Sequence, residues 1–295
     1  MKLSPLNEYL ALGTAQLGLS YGVANTSGQV NEHEAESILV QARAAGICML
    51  DTAIAYGESE KRLGSFGVSS WKIITKLPEV PLECDDIARW VAESLEDSLS
   101  RMRVKEVYGV LLHSPMQLLG PSGRQVYQAL VALKEQGKAK KVGISIYSPE
   151  ELDALWPEFQ FDLVQAPFNV IDRRLATSGW LERLNEAHVE VHVRSVFLQG
   201  LLLMPASDLP EYFDRWASLW DAWSKWLNDN SLCPLRVCLG FVLSHPEISR
   251  IVIGVDNLEQ LNEITGSLSL IDVEPLGEFS CEDLDLISPA RWNVK

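Results

Sequence analysis

Four side chains that can move a proton or carry a charge stand at or just beyond the ends of short apolar runs. Asp51 ends the run ICMLD, Tyr56 follows five residues later, Lys76 ends KIITK, and His113 ends VYGVLLH. A buried lysine is costly without a counter-charge, and Asp51 is the candidate partner. A positive charge beside a phenol stabilises the phenolate, which would let Tyr56 give a proton to a developing alkoxide.

These four groups fit one kind of chemistry. His113 could hydrogen-bond a carbonyl oxygen and orient it, while Tyr56 protonates that oxygen. Hydride must then reach the carbonyl carbon, and because no side chain delivers hydride, a nicotinamide cofactor is implied. The alternative is that Asp51 and Lys76 form only a structural ion pair.

The elements that carry these residues alternate between two patterns. Eight runs are short and apolar without strict alternation, as expected for strands buried on both faces. The segments between them place apolar residues three and four apart, which predicts helices. The predicted strands are 10–15, 47–51, 72–76, 107–113, 141–145, 161–165, 189–195 and 251–254, and the main predicted helices are 32–45, 84–103, 121–136, 148–155, 175–187, 209–228 and 256–264.

Eight strands alternating with helices predict a closed (β/α)8 TIM barrel of the α/β class, a single domain over residues 1–295. The acidic tail, 273–295, is expected to lie over the pocket end of the barrel. The competing fold is an open doubly wound sheet, but GTAQLGLSYG after the first run is not the glycine-rich turn of that fold. Active sites of TIM barrels lie at the carboxyl ends of the strands, where the four residues fall.

The composition of the chain limits the kinds of molecule that it is expected to bind. The chain has 295 residues and a formal net charge of −15, which argues against binding nucleic acid or an anionic membrane. No apolar run reaches the length of a transmembrane helix. Five scattered cysteines without a CxxC pair fit a reducing compartment and predict no metal site. We therefore expect a cytoplasmic protein with a small-molecule substrate.

The motif DTAIAYGESEKRLG, with the lysine of ITKL and the histidine of LLHSP, resembles the aldo-keto reductase superfamily. Further matching blocks are LGTAQLG, GKAKKVGIS, FDLVQAPFNVIDRR, LQGLLL and CLGFVLSHPEISRIVIGVDNLEQLNEI. The resemblance implies NADP(H)-dependent reduction of a carbonyl substrate, with Tyr56, Lys76, Asp51 and His113 as the catalytic tetrad. It also implies a monomer or weak homo-oligomer. The pattern LGTAQLGLSYGVAN is similar to a bacterial subgroup associated with sugars or sugar derivatives.

The resemblance also implies which residues meet the cofactor. Ile146 stands where many members have an asparagine, and Arg194 replaces the aromatic residue that stacks on nicotinamide. An arginine plane can also stack, so this role could persist. The matching positions are Gly13 and Thr14 after the first strand, Ser145 and Gln165 for the carboxamide, Arg194 for stacking, and Ser195, Phe197 and Gln199 along the pyrophosphate.

The segment for the adenosine end departs further from the family. It contains Gly254, Asp256, Gln260 and Glu263, and Gln260 stands at the usual arginine position. Asp256 would repel a 2′-phosphate and could accept a hydrogen bond from a free 2′-hydroxyl. Alternatively, Asp256 is the N-cap of the following helix. NAD(H) is therefore expected as an alternative to NADP(H).

Tyr21 and Trp292 are the candidate substrate contacts. The four tryptophans at 216, 220, 223 and 226 share one helix face, which predicts packing rather than a binding site. Two other functions remain open. One is a non-catalytic, nucleotide-binding regulatory protein, and the other is an epimerase or dehydratase that transiently oxidises its substrate with bound NAD(P).

Overall fold

The computed structural model describes residues 5–25, 27–268 and 279–293. Eight parallel strands pair in chain order and close into a barrel, because β1 pairs with both β2 and β8. The predicted barrel is confirmed, and the open sheet is excluded by this closure. The strands are β1 Leu10–Gly13, β2 Met49–Asp51, β3 Lys72–Leu77, β4 Val107–Leu112, β5 Ala139–Ser145, β6 Leu163–Pro167, β7 Glu190–Arg194 and β8 Ile248–Ile253.

Helices fill the connections between the strands. The side chains of Asn31 and Asp86 accept from the amide of the third residue beyond them, which fixes where α2 and α4 begin. The α-helices are α1 Ala15–Gly18, α2 Glu32–Ala44, α3 Ser59–Phe66, α4 Ile87–Met102, α5 Gly123–Glu135, α6 Pro149–Leu155, α7 Arg174–Thr177, α8 Trp180–Glu186, α9 Ala217–Asp229, α10 Pro234–Leu243, α11 Leu258–Ser267 and α12 Leu284–Ile287.

Two predicted helices are broken in the structure. The segment 175–187 divides at Gly179, whose φ of 78° is left-handed, into α7 and α8. The segment 209–228 begins as a 3-10 turn at Glu211–Trp216 and becomes α-helical only at α9. The packing expected of the tryptophans is confirmed, since Trp220 and Trp223 are each only 3% exposed.

The barrel interior is layered along its axis. The middle layer is apolar and contains Ala11, Met49, Ile74, Leu111 and Leu163. Above it, towards the carboxyl ends of the strands, lie the predicted catalytic residues. Below it lies a second charged group, which we call the lower cluster: Lys72, Tyr108, Lys141, Glu190 and Arg250.

The described part of the tail, 279–293, bonds to the loop after β6 through Cys281 N, which donates to Ile171 O at 2.9 Å, but none of its residues lines the cavity described below. Tyr212 Oη donates to Asp285 O at 3.1 Å, and Trp216 Nε1 donates to the Asp283 carboxylate at 3.1 Å, so the tail packs against the helical segment after β7. The rest of the predicted tail, 273–278 and 294–295, lies outside the described residues. Within the described part of the chain, no helix combines the length and the apolar character needed to cross a membrane.

Candidate active site

The centre of the site is a buried ion pair. Lys76 Nζ lies 2.6 Å from Asp51 Oδ1 and also donates to the backbone oxygen of Thr52 at 2.9 Å. The lysine is 1% exposed and the aspartate 3%. Burial lowers the pKa of Lys76, but the Asp51 carboxylate outweighs burial and holds that pKa above its ordinary value. Lys76 is therefore a fixed positive charge at neutral pH.

The second carboxylate oxygen of Asp51 is also occupied. Gln165 Nε2, from the middle of β6, donates to Asp51 Oδ2 at 2.6 Å. Because one oxygen accepts from Lys76 and the other from Gln165, the carboxylate is fixed in orientation. Three strands, β2, β3 and β6, thus contribute one side chain each to this centre.

Tyr56 and His113 lie above the ion pair. Lys76 Nζ is 5.1 Å from the centroid of the Tyr56 ring, and the rings of Tyr56 and His113 meet edge to face at 6.0 Å. Burial, followed by the charges of Lys76 and Arg194, lowers the pKa of His113 to about 4. The imidazole is neutral at physiological pH and can donate one hydrogen bond without adding charge.

The stretch after Asp51 is held by close contacts on both sides. Gly18 lies so near that a Cβ there would be 1.7 Å from Tyr56 O. Ser59 Oγ, in the first turn of α3, donates to Thr14 O at 2.9 Å. The buried Glu60 carboxylate accepts from Thr75 Oγ1 at 2.7 Å and forms an ion pair with Arg101 at 2.7 Å. These contacts explain why an apolar strand turns at once into a charged helix: the charged residues position Tyr56.

A cavity of about 570 Å³ opens above the tetrad. Its walls come from the loops after β1, β2, β7 and β8, and Asp51 and Tyr56 line its floor. Its far side is formed by the residues that lead into α11. Many of the residues predicted to contact cofactor or substrate line it: Gly13, Thr14, Tyr21, Arg194, Ser195, Phe197, Gln199, Gly254, Asp256, Gln260 and Glu263.

Three predicted contact residues are not among those that line the cavity. Ser145 and Gln165 pair in register and are at most 1% exposed, so they lie directly beneath its floor. Trp292 packs edge to face on Phe213 at 5.0 Å and donates to Leu286 O at 3.1 Å. The expectation that Trp292 faces the substrate does not fit this packing, because the tail docks against the helices after β7.

Arg194 carries the positive charge of the cavity. Among the described lining residues it is the sole lysine or arginine. Its guanidinium lies 4.7 Å from the centroid of the Tyr147 ring, and Nη2 donates to Ile146 O at 3.0 Å. The arginine plane is therefore held in place by stacking on Tyr147, a partner that the sequence did not indicate.

The far side of the cavity is acidic and rich in amides. Asp256 Oδ1 accepts from Asn25 Nδ2 at 2.9 Å, and the Asp256 amide donates to Gln260 Oε1 at 2.8 Å. Burial raises the pKa of Asp256. The N-cap of α11 is Asn257, whose side chain accepts from the Gln260 amide at 2.9 Å, so the alternative that Asp256 caps this helix is wrong.

The loop after β7 is conformationally strained. Ser195, Leu198 and Gln199 have φ angles of 60°, 47° and 53°, a region that residues other than glycine rarely adopt. Gly200 follows with φ 95°, and a Cβ on it would be 2.5 Å from Ala24 Cβ. This loop thus touches the loop after β1, and strain of this kind concentrates at ligand-binding sites.

Sequence reasoning missed several partners that the fold supplies. Asn25, Tyr147 and His192 each meet the site from elements distant in sequence. Asn25 stands in a loop with flanking glycines, which indicates a turn but not its contact with Asp256. No local sequence pattern identifies such residues, because closure of the barrel brings them next to partners that are distant in sequence.

Comparisons with known proteins agree with this geometry. The model of the Aldo/keto reductase family matches residues 9–274. An aldo-keto reductase of Gibberella moniliformis is 25% identical over 248 residues, which cover 78% of this chain and 71% of that protein. Aldo-keto reductase YhdN of Bacillus subtilis is 24% identical over 144 residues, covering 45% of this chain and 43% of its own.

A solved structure shows the same fold. The aldo-keto reductase AKR11C1 from Bacillus halodurans, in its holo form, superposes with a TM-score of 0.71 at 20% identity, covering 90% of this chain and 89% of its own. At 20% identity this superposition shows only that the two proteins share the barrel fold. The family is shown by the match to the family model. The chain, with its closed barrel and its match over most of its length, belongs to the aldo/keto reductase family.

Proposed function

We propose that this protein reduces an aldehyde or ketone to an alcohol with NAD(P)H, and that Tyr56 is the general acid. The observation that carries this proposal is the buried Asp51–Lys76 pair. Lys76 Nζ lies 5.1 Å from the centroid of the Tyr56 ring, and Asp51 and Tyr56 line the floor of the cavity. Burying an ion pair costs desolvation free energy, so such pairs are often found at functional sites, and this one lies next to the Tyr56 ring.

Each residue of the tetrad has a distinct part in the reaction. Neutral His113 donates a hydrogen bond to the carbonyl oxygen and orients it. As negative charge develops on that oxygen, Tyr56 transfers its phenolic proton to it. The fixed charge of Lys76 stabilises the tyrosinate that remains. Asp51 keeps Lys76 in place and balances its charge when Tyr56 is protonated.

The residues present fit a dinucleotide cofactor. Gly13 and Gly254 line the cavity, and a Cβ on Gly254 would be 2.3 Å from Gln16 Nε2, so a larger residue there would displace the Gln16 side chain, which also lines the cavity. Arg194 offers a planar cation, and the strained loop 195–199 offers backbone amides and a hydroxyl. A bound nicotinamide cofactor would supply the hydride.

The acidic side of the cavity favours NAD(H) over NADP(H). Asp256 and Glu263 line it, and the described lining residues include no cation there. A 2′-phosphate would be repelled by these carboxylates, whereas a 2′-hydroxyl could donate to Asp256. Gln260, which replaces the arginine common in the family, already accepts from the Asp256 amide.

The entrance of the cavity fits a sugar derivative. Tyr21 and Tyr147 are 42% and 41% exposed. Burial raises the pKa of Tyr21, and Tyr147 adds to this effect, so the two rings lie close together. Tyr56 and Arg194 also act on Tyr21, which places these aromatic rings near the reacting atoms. Exposed tyrosine rings next to a cation offer stacking and hydrogen bonds to a hydroxylated ring.

The proposal is tested by titrating the purified protein with NADH and with NADPH while following tryptophan fluorescence, and by measuring turnover of a panel of aldehydes and sugar aldehydes. NADH should bind at least about 10-fold more tightly than NADPH, which corresponds to about 1.4 kcal/mol. Asp256→Asn should narrow this difference by improving NADPH binding. Glu259→Gln, on the exposed side of α11, is the matched control.

Two outcomes would count against parts of the proposal. Tighter binding of NADPH by the wild-type protein would overturn the cofactor preference but leave carbonyl reduction intact. Binding of neither nucleotide would overturn the reductase proposal itself. Cofactor binding without turnover of any carbonyl compound would favour the non-catalytic regulatory alternative.

A further inference from the structure

The loop after β6, residues 168–174, lies beside the loop after β7 but does not line the cavity. Two of its polar side chains, Asn169 and Asp172, are almost fully buried. A buried polar group costs free energy unless it is hydrogen-bonded, so the partners of these side chains indicate what the loop holds in place.

Asn169 fixes its own loop with its side-chain oxygen. Oδ1 accepts from the backbone amides of Ile171 and Asp172, each at 2.9 Å, which forms an Asx turn. The Asp172 carboxylate is bound in turn by two nitrogens of Arg174, at 2.8 and 2.9 Å. Because two N–H groups face Oδ1, the side-chain amide has a single orientation, and Nδ2 points away from this turn.

The side-chain nitrogen of Asn169 reaches the loop after β7. Nδ2 donates to Ser195 O at 2.9 Å. The pairing of β6 with β7 extends as far as Arg194, whose backbone oxygen accepts from Phe168 N at 3.1 Å. The backbone of Asn169 then leaves the ladder, because its N–H donates to Asp172 O. The Asn169 side chain therefore takes the place of the next backbone hydrogen bond between the two strands.

Ser195 is the residue at which the chain turns away from β7. Its φ of 60° is left-handed, a conformation that costs free energy in any residue except glycine. Its carbonyl oxygen also accepts from Leu198 N at 2.8 Å, which closes a turn. That turn leads Phe197 and Gln199 along the wall of the cavity. Strained conformations persist only where surrounding contacts hold them, and Asn169 supplies such a contact.

We propose that Asn169 is a positioning residue that holds Ser195 in its left-handed conformation and so forms the cavity wall before the cofactor binds. Asn169 itself is not among the described residues that line the cavity, and it acts through the Ser195 carbonyl. A wall that is already ordered does not have to be ordered by the cofactor, so binding is tighter. The effect on nucleotide affinity rests on the proposed function, whereas the conformation of Ser195 does not.

The effect on affinity is tested by titrating wild type and Asn169→Ala with NADH while following tryptophan fluorescence. The Kd should rise about 10-fold in Asn169→Ala. The kcat at saturating NADH should stay within about 3-fold of wild type, because the reacting groups are untouched. Val170→Ala truncates a buried apolar neighbour and should leave the Kd within about 2-fold. An unchanged Kd in Asn169→Ala, or an equal rise in Val170→Ala, overturns the proposal.

A glycine substitution distinguishes positioning from a general loss of stability. Glycine adopts positive φ without strain, so Ser195→Gly should make the Asn169 contact dispensable. In the Ser195→Gly background, Asn169→Ala should raise the Kd by no more than about 3-fold. Gln199 is also left-handed, with φ 53°, but has no hydrogen bond to Asn169. In the Gln199→Gly background the rise should remain about 10-fold, and equal rises in the two backgrounds overturn the proposal.

Crystal structures of wild type and Asn169→Ala test the conformation directly. The wild type should keep Ser195 at positive φ with Asn169 Nδ2 on its carbonyl oxygen. In Asn169→Ala the segment 195–199 should take another backbone path or lose order. A wild-type conformation of Ser195 in this variant overturns the proposal.

Two further outcomes have defined meanings. Should Asn169→Ala fail to fold, Asn169→Ser replaces it in each experiment, because a serine hydroxyl can still accept from the turn amides but is too short to reach Ser195 O. If neither NADH nor NADPH binds the wild-type protein, the proposed function is wrong, and the crystal structures alone decide the role of Asn169.

Discussion

The two ends of the barrel interior each hold a lysine, a carboxylate and a tyrosine, but in different surroundings. At the upper end Lys76 and Asp51 are 2.6 Å apart, and their side chains are 1% and 5% exposed. At the lower end Lys141 and Glu190 are 3.1 Å apart, and their side chains are 27% and 26% exposed. The tyrosines are Tyr56 above and Tyr108 below.

The difference shows how the same residue types serve two purposes. Water reaches the lower cluster, screens its charges and lowers the cost of keeping them there. The upper pair is almost fully desolvated, so the attraction between its two charges is strong. In TIM barrels the lower end supports stability and the upper end carries catalysis, and the two exposures follow that division.

The largest expected effect is the difference in turnover between variants of Tyr56 and variants of Tyr108. Tyr56→Phe should reduce turnover by about 10²–10⁴-fold, because it removes the proton donor while keeping the ring. Tyr108→Phe removes a hydroxyl that donates to Glu190 Oε1 at 2.7 Å and should leave turnover within about 2-fold of wild type. Steady-state kinetics of both variants, with nucleotide titrations as the folding and binding control, provide the comparison. Equal losses in the two variants would contradict the division between the ends.

The second effect is the difference in stability between variants of Lys76 and variants of Lys141. Lys76→Met leaves Asp51 buried without its counter-charge, and we expect a loss of about 3–5 kcal/mol in the free energy of unfolding. Lys141→Met leaves Glu190 partly hydrated and still bonded to Tyr108, and should cost about 1 kcal/mol or less. Urea denaturation at pH 7 measures both. A smaller loss at Lys76 than at Lys141 would show that exposure does not control the strength of these pairs.

The third effect is the acid stability of the lower end. Burial raises the pKa of Glu190, but the nearby His192, the hydrogen bond from Tyr108 and the charge of Lys141 outweigh it and lower that pKa from 4.5 to about 2. A carboxyl group with a depressed folded-state pKa contributes stability above its unfolded pKa, and this is lost as pH falls from about 4.5 towards 2. Glu190→Gln should therefore be less stable than wild type at pH 6 and should show a weaker fall between pH 5 and 3. Thermal denaturation across this range is the measurement, with Glu93→Gln on the exposed face of α4 as the control.

The smallest effect concerns the upper end alone. The pKa of His113 is lowered from 6.5 to about 4 by burial and then by Lys76 and Arg194. Arg194→Gln removes one of these cations and should raise the His113 titration midpoint by a fraction of a pH unit. Arg43→Gln, whose guanidinium lies over Trp71, should not move it. Side-chain NMR of labelled histidine follows the titration, and an unchanged midpoint in Arg194→Gln would show that this arginine does not act on the site.

The barrel and the location of the tetrad were predictable because both follow from local pattern. Runs such as KIITK and VYGVLLH are apolar, short and separated by helical segments, and a residue that ends a parallel strand must lie at the active-site end. The break at Gly179 and the 3-10 start at Glu211 were not predicted, since helical periodicity continues through both positions. Helix ends depend on local turn geometry that periodicity does not report.

The sequence by itself determined which residues could carry the chemistry: the DTAIAYG motif and the lysine and histidine at their strand ends. Only the tertiary structure decided which side chains contact the residues of the site. Gln165 donates to Asp51, Asn25 to Asp256, and Arg194 stacks on Tyr147, across separations of up to 231 residues along the chain. These partners depend on strand register and barrel closure, because they bring together side chains whose sequence positions carry no information about one another.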